Sequence, residues 1–147
     1  MELAYKMLCA KLHANDIYYT EEREEDLIRL YLDIDKIFIC LIDMLGIKII
    51  HFYGGMNFNL DESLEHDVQA ISDAFNYIQK IRNNDIYQIE IHKFGKIVSA
   101  RQHLLIDGKE DKSGVWVMSP LFFIPFLPKE VKEVRFRLVD NRFVEIM

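Results

Sequence analysis

A chain of 147 residues, half of them apolar and with few glycines and prolines, has the material for a real core, which excludes disorder and collagen-like structure. Two cysteines exclude a disulfide scaffold, and a net charge of −6 disfavours nucleic-acid backbones and membrane surfaces as partners. The charge is uneven: residues 1–85 hold 16 acidic and 8 basic side chains (net −8), and residues 86–147 hold 8 and 10 (net +2).

The opening Met1-Glu2-Leu3-Ala4-Tyr5-Lys6 has no basic leader region, so no secretory signal is expected. Residues 2–13 are good helix formers with Leu3, Met7, Leu8 and Leu12 near helical spacing, and Asn15-Asp16 reads as a break. Thr20 then offers a capping hydroxyl, and Glu21, Glu22, Glu24, Glu25 and Asp26 crowd what would be the first turns of a helix, where its dipole favours anions. Leu27, Leu30, Ile34, Ile37, Phe38, Leu41, Met44 and Leu45 follow at spacings of three and four, and Gly46 suits a helix end. The pattern predicts a helix over 21–45.

Ile47 to Tyr53, rich in isoleucine and aromatics, predicts a strand ending at Gly54-Gly55. Asp43, Gly46, Lys48 and His51 interrupt the apolar run from Ile37 to Tyr53, which argues against a membrane span. A second helix is predicted from about Ser63 to Arg82, with Leu64, Val68, Ile71, Phe75 and Ile78 inward. The period then becomes two. A hairpin turning at 93–96 would put Ile89, Ile91, Val98 and Ala100 inside, and Gln88, Glu90, His92, Ser99, Arg101 and His103 on the outer, solvated face. Residues 107–114 read as a polar loop and 115–118 as a strand. The segment Met118 to Pro128 contains all three prolines around large apolar side chains, and is expected to tuck against the core as a crossover. Alternation at Val134, Phe136 and Leu138, a turn at Asp140-Asn141 and a last strand from Phe143 to Ile146 complete the chain. The order predicts a single α+β domain over 1–147: a mainly antiparallel sheet with two or three helices packed on one face.

No P-loop, dinucleotide fingerprint, His-Glu-x-x-His, nucleophile elbow or EF-hand spacing is present. No catalytic residue, metal or cofactor is therefore expected. The density of Glu21, Glu22, Glu24, Glu25 and Asp26, extended by Asp33, exceeds what a helix start requires, and points to a surface that receives a basic protein partner. This reading is a cytoplasmic, non-enzymatic binding module. Its most concrete form is an immunity or antitoxin-type inhibitor that occludes a basic partner such as a nuclease toxin. One alternative is a small hydrolase or transferase using Glu90, His92, Arg101 and His103 on the outer sheet face. Another is a structural subunit of a phage or bacterial assembly, joined through the proline-rich segment.

Overall fold

A computed structural model describes residues 1–34, 38–51, 54–111, 116–118 and 124–146. Asp35, Ile37, Tyr53, positions 112–115 of the polar loop and strand, and positions 119–123 of the proline-rich segment lie outside the described residues. Two helices and two antiparallel sheets make the chain α+β, with strand the dominant element. It divides into two compact units, Met1–Arg82 and Asn83–Met147.

In the first unit, helix α1 (Glu2–Ala14) buries Ala4, Leu8, Cys9 and Leu12, a stripe one step round from the expected one, and Leu3 is exposed. It stops where the Asn15 side-chain amide donates to Lys11 O at 2.8 Å and Asp16 adopts φ 56°, a conformation Asp tolerates better than most residues. Five strands follow as a meander: β1 (Tyr19–Arg23), β2 (Ile28–Leu32), β3 (Ile39–Ile42), β4 (Gly46–His51) and β5 (Gly54–Asn59), each paired with the next, so β1 and β5 form the edges.

The helix expected over 21–45 does not exist. The same residues form β1, β2 and β3, because a second periodicity runs through them: Ile28, Leu30 and Leu32, then Phe38, Cys40 and Ile42, all buried. Register aligns Ile28 with Ile42 and Ile47, and Leu30 with Cys40 and Ile49, so period-two burial fills one continuous face. Leu41, Met44 and Leu45 are not core. Leu41 is half-buried on the other face, between Arg29 and Lys48, and Met44 and Leu45 are exposed. Gly46 is not a helix terminator but opens β4, where a Cβ would meet Phe58 O at 2.5 Å.

Helix α2 (Leu64–Asn83) buries Ala70, Ile71, Ala74, Phe75, Ile78 and Ile81. Leu64, expected inside, lies exposed at its start. Tyr77 of α2 meets the rings of His51 on β4 and Phe58 on β5, Lys11 of α1 lies over the Phe75 ring, and His13 of α1 sits edge-on to Tyr19 of β1.

The second unit is a six-stranded antiparallel sheet: β6 (Asp85–Lys93), β7 (Lys96–Ile106), β8 (Lys109–Asp111), β9 (Trp116–Met118), β10 (Lys129–Val139) and β11 (Arg142–Glu145). The order is β11-β10-β6-β7-β8, with β9 also on β7. Two-residue turns join three of its hairpins, with both central residues left-handed: Phe94-Gly95, Asp107-Gly108 and Asp140-Asn141. That geometry matches the twist of the strands it connects. Arg137 on β10 makes two parallel hydrogen bonds, of 2.8 and 2.9 Å, to Asp85 on β6, holding that carboxyl below its usual range.

The hairpin turns where expected, but a bulge between Ile91 and His92 inserts one extra residue on β7. Beyond it Glu90 faces Ala100 and Gln88 faces Gln102, where an unbulged ladder running from the 93–96 turn would set them against Ser99 and Arg101. The expected outer face is therefore divided: Ser99, Arg101 and His103 share a face with Ile91, Ile89 and Tyr87, while Gln88, Glu90 and His92 lie on the other. Gln88, Glu90, Ser99 and His103 are also buried rather than solvated. In the described part of the proline-rich segment, Ile124 and Phe126 are exposed, in place of the burial expected there.

Candidate functional site

Edge strand β1 and the turn after it, not a helix start, hold the acidic cluster. Alternation sends Glu21 and Arg23 one way and Glu22 the other. Tyr5 of α1 donates its hydroxyl to Glu21 at 2.5 Å, which raises the tyrosine pKa, and Arg23 pairs with Glu2 at 2.7 Å. Glu22 accepts from the Tyr31 hydroxyl at 2.9 Å, and Glu24 accepts from Arg29 at 2.5 Å. Three of the expected binding carboxylates are thus engaged within the fold. Glu25 and Asp26, in the turn, are exposed with no hydrogen-bond or ionic partner among the described residues. Asp33 is exposed too, but it follows the far end of β2, about 17 Å along the strand from that turn.

What adjoins Glu25 and Asp26 is apolar. Because Ile28 pairs with Ile42 and Ile42 with Ile47, the β1–β2 and β3–β4 turns stand side by side at one end of the sheet. The second of these turns carries Met44 and Leu45, 63% and 80% exposed. Asp43 fixes it: one carboxylate oxygen accepts from the backbone N–H of Leu45 at 2.7 Å and of Gly46 at 2.9 Å. The same end bears a shallow recess of ≈ 280 Å³ lined by residues that include Asp43, Leu45, Lys48 and Asn57. Sequence reasoning missed Met44 and Leu45 by placing them in a helical stripe. Asp43-Met-Leu-Gly46 carries the signal that could have found them, a turn-forming aspartate three residues before glycine.

On the second sheet a buried polar line runs across two strands. Gln102 donates to Gln88 at 2.8 Å, Gln88 donates to Glu90 at 2.7 Å, and the His92 ring meets the other Glu90 oxygen at 2.7 Å. The glutamate has both oxygens engaged, which is how a buried carboxylate escapes the penalty of an unpaired charge. Of the four residues proposed above for acid–base chemistry, only Glu90 and His92 come together. Arg101 and His103 stand on the opposite face, where His103 Nδ1 is buried without a hydrogen-bond partner among the described residues.

Asp61, His66 and Asp67, at the start of α2, place one donor atom each within 4.8 Å of the others, a set with the chemistry to hold a divalent cation. Their oxygens have structural work, however: Asp61 accepts from the N–H of Ser63 and Asp67 from the N–H of Asp61, both at 2.9 Å. Cys9 and Cys40 are buried, and burial pushes both thiols up, which makes them poor nucleophiles. Among the described residues no helix is long and apolar enough to cross a membrane.

Comparison with family models, with curated proteins and with solved structures finds no match for this chain.

Proposed function

We propose that the chain is a non-enzymatic binding module that captures a basic protein partner at the acid-rimmed end of its first sheet. One observation carries the reading: Met44 and Leu45 project into solvent on the turn next to Glu25 and Asp26. Two adjacent exposed apolar side chains beside exposed carboxylates combine an anchor that excludes water with charges that steer encounter. In this reading both helices cover one face of the sheet, leaving its end open to the partner. The most concrete form remains an immunity or antitoxin-type inhibitor acting in the cytoplasm, its acids standing in for the nucleic acid that a nuclease toxin would bind.

Affinity capture from host lysate at low and high salt tests it, with wild-type chain beside a variant carrying Glu25→Lys, Asp26→Lys and Leu45→Ser. A basic protein held by wild type at low salt, released as salt rises and not held by the variant, is the expected result. Identical retention by both chains would overturn the assignment of this surface.

A further inference from the structure

At one end of the second sheet two turns stand together. The β6–β7 turn runs from Lys93 to Lys96, and the turn Ile124–Pro128 leads into β10, whose first residue, Lys129, is paired with Lys93. Lys93 also ties them directly, its buried side chain donating to Ile124 O at 2.9 Å. Each turn carries a phenylalanine in solvent: Phe94 is 72% exposed and Phe126 93%. Ile97, Ile124 and Val131 add exposed apolar surface around them.

Phe94 is there against local preference. It occupies a left-handed backbone position, φ 53°, that disfavours a bulky side chain. The equivalent positions of the two other two-residue turns of this unit are Asp107 and Asp140, residues that tolerate it. A strained position filled by an exposed aromatic points to a use for the ring outside the fold. Phe126 is presented differently, between Pro125 and Pro128, which restrict the backbone and reduce the entropy lost when the turn is immobilised.

Charge identifies the surface these rings meet. Across 93–97 and 124–131 there are three lysines, Lys93, Lys96 and Lys129, against one acid, Glu130, a local net charge of +2 in a chain of net charge −6. Lys96 and Lys129 are exposed. Charges farther away than about 8 Å are largely screened at physiological salt, so the local sign governs contact at this tip. The apical residues Phe94, Gly95, Lys96, Pro125 and Phe126 are all exposed. Aromatic rings on exposed turns with flanking lysines suit the headgroup layer of a bilayer, where rings enter the acyl boundary and ammonium groups stay with lipid phosphates.

We propose that the Phe94 and Phe126 turns of the second unit form a docking tip for an anionic lipid surface, independent of what the acidic end of the first unit binds. Flotation of the full chain with vesicles tests it, using phosphatidylcholine alone and phosphatidylcholine containing about one third phosphatidylserine. Wild type should float with the anionic vesicles and be released by high salt. Phe94→Ser with Phe126→Ser should lower partition at least about tenfold while leaving the melting temperature unchanged, since both rings are exposed. Lys96→Glu with Lys129→Glu should lose the preference for phosphatidylserine. A Phe126→Trp chain should show an emission shift to shorter wavelength on anionic vesicles beyond that of Trp116 alone. No flotation of wild type, or flotation untouched by the double serine variant, overturns the proposal. So does a concentration-dependent self-association abolished by the same variant, which would assign the tip to a second copy of the chain.

Discussion

His51 is held neutral by its surroundings. Its ring lies beside Phe38 and Tyr77, 5% exposed, with Nε2 at 2.6 Å from the Tyr77 hydroxyl and Nδ1 without a partner among the described residues, and burial pulls its pKa down to about 4. The unfolded chain takes up that proton near pH 6.5, the folded chain near 4, so between these values the unfolded state binds more protons. Stability from this residue is complete above about pH 6.5 and falls as the pH drops towards 4, by an amount on the order of 3 kcal/mol. His51→Phe keeps a ring of similar size and removes the proton. Melting curves at neutral and mildly acid pH should therefore converge for the variant more than for wild type. An equally steep acid loss in both would mean that other groups govern it.

The residues that mislead a sequence reading are also individual. Gln88 and Glu90 look like outward positions because isolated polar side chains usually are. They are buried because each finds its hydrogen-bond partner on the same sheet face. Nothing local reveals such partners, since Gln102 reaches Gln88 only through a register that the bulge has reset.

Elements were legible where one periodicity ran unopposed: α1, α2, β4, the β6–β7 hairpin and the β10–β11 hairpin all lie near their expected positions. Residues 27–45 satisfied two templates at once. Leu27, Leu30, Ile34, Phe38 and Leu41 fit a helix, and Ile28, Leu30, Leu32 and Ile34 fit a strand. Pairing with β4 decides between them, and that contact is not contained in any short window. A pair of substitutions separates the two arrangements. Leu30→Asp places an unpaired charge in the buried face and should cost at least about 4 kcal/mol, enough to threaten folding. Leu41→Glu, whose register neighbours are Arg29 and Lys48, should stay within about 1 kcal/mol of wild type. A helix with both leucines on its inner stripe would lose both variants. Urea denaturation of each reads the difference.

At the scale of the whole molecule the asymmetry of charge is the property most open to reading from sequence, and the arrangement of the acids the least. The cluster was visible, but not that Glu21, Glu22 and Glu24 are taken up by Tyr5, Tyr31 and Arg29, nor that Glu25 and Asp26 stand beside Met44 and Leu45. Reversing Glu25 and Asp26 to lysine should leave stability within about 0.5 kcal/mol, because exposed charges without partners contribute little to folding. The same change should slow association with a basic partner at low salt, with the difference closing as salt screens both chains. On-rates at two ionic strengths measure this, and equal rates at both would leave the two acids with no part in capture.

One consequence of β1 being an edge has nothing to do with a partner. A sheet edge offers unpaired backbone donors and acceptors to any extended chain that comes near, and here four strands behind it are ready to template growth. Along β1 stand Glu21, Glu22 and Arg23, with charge on both faces of the strand. An incoming copy of the strand in parallel register would set like charges directly beside one another, which opposes pairing. The acids that read as a binding surface thus also act as gatekeepers against fibril formation. Replacing Glu21 and Glu22 by valine should leave the meander intact yet shorten the lag before thioflavin-positive aggregates appear, whereas an unchanged lag would mean the edge is guarded by something other than its charge.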